Sequence, residues 1–275
     1  FKARWHLGAV NSINWARLVA QVVYYVSCWL RVTDGPGQEI SFAVPTGNFG
    51  NILAAYFAKR MGLPIDKLIC ASNDNKVLFD FFETGVYDKN REFILTTSPS
   101  MDILVSSNLE RLLYLSAGCD AAKTRELMEA LKTSGKYAVT EEMRQATRDF
   151  AGGYATQEEV AARIRSLYEK TGYVIDTHTA VASKVYEDYR KTSGDTKPTV
   201  IASTASPFKF SRAVMEAIAG DVSKLDDFAV LELLRDKAGV PFPPAVEEIR
   251  HAEIRHNRSC KPAEMEAMVR SILFE

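Results

Sequence analysis

The chain has 275 residues, enough to bury a sizeable hydrophobic core as one large domain or two modest ones. Its 34 basic and 35 acidic residues give a formal net charge of −1, which indicates neither a nucleic-acid surface nor an acidic solvating tail. This balance favours a protein that acts on small molecules.

The cysteines and histidines exclude further classes of protein. The four cysteines form no Cys-x-x-Cys pair, which disfavours a zinc site and a disulfide scaffold and favours a reducing cytoplasm. His251 and His256 are five residues apart, on different faces of a helix, so we expect no metal. The most apolar run, Leu18 to Leu30, is too short to span a bilayer and predicts a buried helix.

The first predicted helix covers Asn11 to Val32, where apolar residues recur at helical spacing. Two interpretations of its polar start remain open on pattern alone. Asn11 or Ser12 could simply cap the helix. Alternatively, Ser12, Asn14 and Arg17 could face a binding site in which Arg17 meets an anion.

A tight loop with two glycines follows the first predicted strand, Ile40 to Val44, and precedes a helix from Ile52 to Met61. Gly47 and Gly50 can adopt positive φ and leave space for a ligand beside the backbone. The amides at the start of the helix would then form a phosphate cradle, although an ordinary strand-to-helix turn has the same pattern. We call this segment the phosphate loop; its residues are Gly47, Asn48, Phe49, Gly50 and Asn51.

The next segment predicts a parallel sheet. Lys67 to Ala71 indicates a second strand, so strand, helix and strand form a βαβ unit. Ligands of such sheets bind at the carboxyl ends of the strands, where the phosphate loop and Ser72 to Asn75 both lie. A short helix is expected at Leu78 to Glu83 and an extended segment at Phe93 to Thr97.

Residues 106–170 change in character and predict a helical insertion without a buried strand. Ser107 with Glu110, and Thr156 with Glu159, each match a capping box that opens a helix. The charges of this region are explained by a solvated surface, and no chemistry is assigned to it.

The last part of the chain returns to the predicted core. His178, at the start of a helix, could be an acid/base group or a structural residue. After a strand at Pro198 to Ala202, the Thr204 hydroxyl could bind a ring nitrogen or cap the next helix. Lys209 is expected on the surface of that helix. A terminal helix is expected from Pro262 to Leu273.

Four blocks of the sequence stand out together: Asn11–Arg17, the phosphate loop, Gly172–Ala182 and Ser203–Phe210. In content and order they resemble blocks of the threonine synthases, which are pyridoxal-phosphate (PLP) enzymes of the tryptophan-synthase-β type. The resemblance implies an α/β fold of PLP fold type II, with a mostly parallel sheet flanked by helices. Residues 1–105 and 171–275 would form its PLP-binding core, and residues 106–170 the insertion.

The resemblance also implies a lyase that converts O-phospho-L-homoserine and water to L-threonine and phosphate. The phosphate loop would hold the cofactor phosphate, and Thr204 would hydrogen-bond the pyridine nitrogen. Ser12, Asn14 and, less firmly, Arg17 would face the substrate. We expect no partner beyond small molecules and the rest of the enzyme, and in particular no nucleic acid or membrane.

One family feature is missing. The Schiff-base lysine of the family belongs to an upstream motif of the Ser-Phe-Lys-Asp kind, which this chain lacks. That lysine is therefore expected upstream of Phe1, so the fold would be incomplete and this stretch inactive by itself. The partner implied is the missing N-terminal part of the same enzyme.

Two rival functions remain open. The chain could be a non-catalytic phosphate-ligand or interaction module on a decayed enzyme fold. It could also be another enzyme of the same fold type, such as threonine dehydratase or cysteine synthase. Those enzymes favour a serine-rich or glycine-rich phosphate loop and lack a helical insertion like the one expected here.

Overall fold

Four parallel strands form the main sheet of the computed structural model, which describes residues 11–255 and 257–274. The strand order is β5-β2-β1-β6, and the carboxyl ends of all four lie at one edge. Every residue of β1 is buried, as expected for a central strand of a parallel sheet. The strands are β1 Ile40–Pro45, β2 Ile65–Ser72, β3 Val86–Asp88, β4 Lys136–Ala138, β5 Phe150–Tyr154 and β6 Thr199–Ile201.

Helices pack against this sheet and against one another. The predicted class, a mostly parallel sheet flanked by helices, is confirmed. Between residue 11 and Gly239 the described helices are α1 Trp15–Val32, α2 Gly50–Arg60, α3 Val77–Thr84, α4 Leu109–Ser116, α5 Ala121–Thr133, α6 Glu141–Ala146, α7 Gln157–Thr171, α8 Thr177–Ser193, α9 Ser211–Ala219 and α10 Asp227–Ala238. Short 3-10 turns occur at Pro99–Met101 and Pro207–Phe210.

The expectation that residues 106–170 contain no sheet strand is wrong. Strand β5 lies inside this region and pairs in parallel with β2, with Cys70 opposite Gly152. The pattern was missed because Gly152 and Gly153 weaken the strand signal. A β-carbon on Gly153 would lie 2.4 Å from Val185 Cγ1 of α8, so glycine allows that helix to approach the sheet closely. The domain boundaries drawn at 106 and 170 stay a prediction.

Two capping boxes were predicted in this region, and one of them forms. Thr156 Oγ1 accepts from the Glu159 N–H, and the Glu159 carboxylate accepts from the Thr156 N–H, as predicted for α7. The box at Ser107 does not form, because α4 begins at Leu109 without a side-chain cap. The segment from Phe93 to Thr97 is irregular rather than a strand.

The chain divides after Gly239 into two compact units. The second contains α11 Pro244–His251, a 3-10 turn at Pro262–Glu264 and α12 Met265–Phe274. His256, whose metal role was considered above, lies outside the described residues, as do residues 1–10. None of the described helices combines the length and apolar character needed to cross a membrane.

Candidate functional site

The phosphate loop joins the carboxyl end of β1 to the first turn of α2 and lines a cavity of about 190 Å³. Ser12 and Arg17 line the same cavity. None of the backbone N–H groups from Gly47 to Ile52 donates a hydrogen bond to another described residue. Such free amides at a helix N-terminus favour an anion.

The left-handed residue of the loop is Phe49, with φ 64°, and neither loop glycine has a positive φ. The Phe49 ring is buried and lies 5.5 Å from the ring of Phe150 and 6.1 Å from that of Phe82. A non-glycine residue in this region costs about 1–3 kcal/mol. Burying the ring contributes about 2 kcal/mol, so the core offsets most of that strain. The loop is thereby fixed to the core from its centre.

The loop glycines are required by close packing rather than by their φ angles. A β-carbon on Gly47 would lie 2.7 Å from the Ser100 carbonyl oxygen, which is closer than real β-carbons approach. A β-carbon on Gly50 would lie 3.3 Å from Asn108 Nδ2. The expectation of positive φ at these two glycines is wrong. The atoms that approach them are those of the protein itself, so the approach of a ligand to this backbone stays a prediction.

A second cavity, of about 480 Å³, adjoins the loop at the same edge of the sheet. Thr204 lines it because β6 runs parallel to β1 and ends beside it, so the chain after each strand emerges on the same side. Arg17 and Lys209 also line this cavity, and neither has an ion-pair partner among the described residues. No carboxylate lines it, so its charge suits an anionic ligand.

The asparagines of the loop differ in what they can offer a ligand. The Asn51 side chain is occupied, since Nδ2 donates to Gln21 Oε1 at 2.7 Å and Oδ1 accepts from the Tyr25 hydroxyl. Asn48 Nδ2 has no partner among the described residues. Asn14 caps α1 by accepting from the Ala16 N–H and lines neither of the two cavities.

Ser72 ends strand β2 and Asn73 to Asn75 follow it, yet these four residues line neither cavity. The buried Asn73 and Asn75 amides both donate to Asp102 Oδ1, at 2.7 and 3.1 Å. Asn73 Nδ2 also donates to the Ser98 hydroxyl at 3.0 Å. These residues hold the segment around Ser98 to Asp102, which places Ser100 at the cavity.

His178 lines the second cavity and holds the same segment from the other side. The Ser100 N–H donates to His178 Nε2 at 3.2 Å, and His178 Nδ1 lies 3.3 Å from Asp176 Oδ1. Burial would raise the pKa of Asp176, but hydrogen bonds from His178 and Thr179 outweigh it and hold that pKa below its ordinary value. The arrangement favours the structural interpretation of His178.

We expect Asp176→Asn to lower the free energy of unfolding by about 2 kcal/mol at pH 7, because it weakens several hydrogen bonds to a buried carboxylate. Asp226 is the matched control: it caps α10 at an exposed position, and asparagine caps equally well. Urea unfolding of the full-length protein measures both. Equal effects of the two variants would contradict the role given to Asp176.

The stability that the Asp176 carboxylate contributes should depend on pH. A depressed pKa contributes stability that is fully present above the unfolded-state pKa of about 3.9. That stability is lost as the pH falls through the lower pKa of the folded state. The difference between wild type and Asp176→Asn should therefore shrink as the pH falls below about 4.

Known proteins are similar to this chain in sequence. A family model described as "Threonine synthase, C-terminal" matches residues 179–239. A threonine synthase from Methylobacillus glycogenes is 43% identical over 223 residues, which cover 79% of this chain and 46% of that protein. The chain is homologous to the threonine synthases. The resemblance predicted from the sequence blocks is thus confirmed.

Solved threonine synthases also share the fold. PLP-bound threonine synthase from Brucella melitensis matches with a TM-score of 0.74 and 43% identity, over 86% of this chain and 54% of that one. Yeast threonine synthase matches with a TM-score of 0.81 and 34% identity, over 98% of this chain and 54% of that one. The chain spans about half the length of the threonine synthases that it matches.

Proposed function

We propose that the chain supplies the cofactor-phosphate site and part of the substrate site of a PLP-dependent threonine synthase. The reaction would convert O-phospho-L-homoserine and water to L-threonine and phosphate. The observation that carries this proposal is the row of backbone amides from Gly47 to Asn51, which line a cavity at the N-terminus of α2 and have no hydrogen-bond partner among the described residues. Similarity to threonine synthases, one of which is PLP-bound, supports the phosphate group of PLP as the anion.

The residues present fit pyridoxal phosphate. The amides of the phosphate loop would hold its phosphate group, with Asn48 Nδ2 as a further donor. The Thr204 hydroxyl, which has no hydrogen-bond partner among the described residues, would contact the pyridine nitrogen without protonating it. When bound, the cofactor supplies an electron sink for negative charge that develops on substrate carbons.

The substrate is an anion at both ends, and the second cavity provides cations for it. Arg17 and Lys209 would attract the substrate's phosphate and carboxylate groups. Ser12 lines the smaller cavity beside the loop and would orient the substrate there, whereas Asn14 would act through the helix start that it caps. The sequence places Lys209 on the surface of a helix. Lys209 is exposed, and it also lines the second cavity.

The partner in this proposal is the rest of the same enzyme, which would contribute the Schiff-base lysine. Relatives about twice as long support it. This stretch alone would then be inactive. We place the enzyme in the cytoplasm, and the four unpaired cysteines support a reducing compartment.

The direct test uses the full-length protein. Purified protein with PLP should form threonine and release phosphate from O-phosphohomoserine in equal amounts. Threonine formation distinguishes this activity from a dehydratase, which would release ammonia and a keto acid instead. A protein that binds PLP but forms no threonine would overturn the proposed reaction.

Thr204→Val should lower kcat/KM for threonine formation by about tenfold while changing the free energy of unfolding by less than about 1 kcal/mol. The change deletes a hydroxyl at the cavity and keeps the side-chain volume nearly constant. Thr199→Val is the matched control. Thr199 lies on β6, and its hydroxyl makes only a local contact, to the Lys197 carbonyl oxygen. Equal activity of the two variants would remove Thr204 from the site.

A further inference from the structure

The phosphate loop is held from behind by residues that the proposed function does not use. Ser106 Oγ donates to the Gly47 carbonyl oxygen at 2.8 Å. The Asn108 backbone N–H donates to the Asn48 carbonyl oxygen at 3.1 Å, and Asn108 Nδ2 donates to the same oxygen at 2.9 Å. We call Ser106 and Asn108 the carbonyl clamp.

The clamp has a consequence for the direction of the loop amides. In a trans peptide unit the C=O and N–H bonds point in opposite directions. The Gly47 carbonyl shares its peptide unit with the Asn48 N–H, and the Asn48 carbonyl shares its unit with the Phe49 N–H. Because both carbonyls bond to the clamp, both N–H groups point away from it. The residues lining the 190 Å³ cavity include neither Ser106 nor Asn108, as expected if the clamp lies behind the loop.

The Asn108 side chain is itself held in one orientation. It is fully buried, and its Nδ2 also donates to the Ser12 carbonyl oxygen at 2.9 Å. Its Oδ1 accepts from the Arg111 guanidinium, which donates in addition to the Ile13 carbonyl oxygen at 2.8 Å. Nδ2 thus has two carbonyl acceptors and Oδ1 has a cationic donor. Exchanging the two atoms would place the nitrogen against the guanidinium and the oxygen against the carbonyls, so the amide has one favourable orientation.

We propose that Ser106 and Asn108 are positioning residues that aim the amides of Asn48 and Phe49 at the bound phosphate. The proposal rests on the proposed function, because it assumes that the loop binds the phosphate of PLP. It assigns a role to a region in which the sequence pattern indicated no chemistry. The clamp also joins the loop to Ser12, through Asn108, so both sides of the cavity share one anchor.

The test compares pyridoxal phosphate with pyridoxal, which lacks the phosphate group, in equilibrium dialysis of the full-length protein. The ratio of their dissociation constants measures what the phosphate contributes to binding. Asn108→Ala removes the side-chain donor to the Asn48 carbonyl without adding a negative charge near the phosphate, so we expect the ratio to fall at least about tenfold. Ser106→Ala should lower it about threefold to fivefold.

Ser116→Ala is the matched control. Its hydroxyl donates to a carbonyl oxygen, that of Leu113 in α4, at 3.0 Å and contacts no residue of the loop, so the ratio should stay within about twofold of wild type. A merely structural role would weaken the binding of both ligands together and leave their ratio unchanged. If Asn108→Ala does not fold, Ser106→Ala is compared with Ser116→Ala alone.

The outcomes separate the clamp from the proposed function. A wild-type protein that binds both ligands equally would overturn the proposed function and the clamp with it. A wild-type preference for pyridoxal phosphate that survives in both clamp variants would overturn the clamp alone. A preference reduced in Asn108→Ala and Ser106→Ala, but not in Ser116→Ala, is the expected result.

Discussion

Gly50→Val in the full-length protein is expected to weaken retention of pyridoxal phosphate by at least about a hundredfold. The β-carbon alone would lie 3.3 Å from Asn108 Nδ2 and 3.7 Å from the Ser12 carbonyl oxygen, and the two methyl groups of valine require more room. Overpacking of this kind typically costs about 1–3 kcal/mol. Here the residues displaced are those that hold the loop, so the cost should appear as lost phosphate binding.

Gly35→Val is the matched control for Gly50→Val. No atom lies within 4 Å of a β-carbon built on Gly35, so the same substitution meets open space there. Spectrophotometric titration with the cofactor measures retention, and circular dichroism checks that both variants are folded. A folded Gly50→Val variant with the affinity of Gly35→Val would contradict the assignment of the loop as a phosphate site.

The sequence was sufficient to place the loop and Thr204 at one site. Apolar runs with short connections predict parallel strands, and parallel strands bring the residues that follow them to one edge. The apolar run before Gly47 and that before Thr204 were both visible, so their meeting could be predicted. The two segments meet because parallel strands end at the same edge of the sheet, whatever side chains they carry.

The pattern could not show which donors of the site are already used. Asn48 and Asn51 look equivalent in the sequence, yet Gln21 and Tyr25 of α1 occupy the Asn51 side chain. Asn73 and Asn75 likewise have internal partners and hold the segment that carries Ser100. Such partners are distant in the chain, so propensities and spacing carry no information about them.

The left-handed conformation of Phe49 could not be predicted, for a different reason. The sequence favours the two glycines for positive φ, but the left-handed residue is Phe49, whose ring packs in the core. Strand β5 follows the same principle, because its glycines have lower strand propensity but allow α8 to pack closely. In both places tertiary packing overrides the local preference.

The largest effect is expected when this chain is separated from the rest of the proposed enzyme. The prediction that Leu18 to Leu30 forms a buried helix is wrong for the described structure, because helix α1 exposes a row of apolar side chains. Val23 and Leu30, for example, are 64% and 65% exposed. Strand β6 has β1 as its single strand neighbour among the described residues, so its outer edge is open. Apolar faces and open edges of this kind promote association. We therefore expect the 275-residue chain alone to aggregate and to form no threonine.

Co-expression with the remaining part of the enzyme should restore both a soluble complex and threonine formation, measured by gel filtration and by activity. Val23→Glu combined with Leu30→Glu places two charges on the apolar face of α1. It should make the isolated chain more soluble yet block reconstitution, because buried unpaired carboxylates would be required in the complex. Leu95→Glu is the control, since Leu95 is already 80% exposed and lies outside that face. A monomeric chain that forms threonine without any added segment would overturn this account, and Lys209 would then be the first residue to replace.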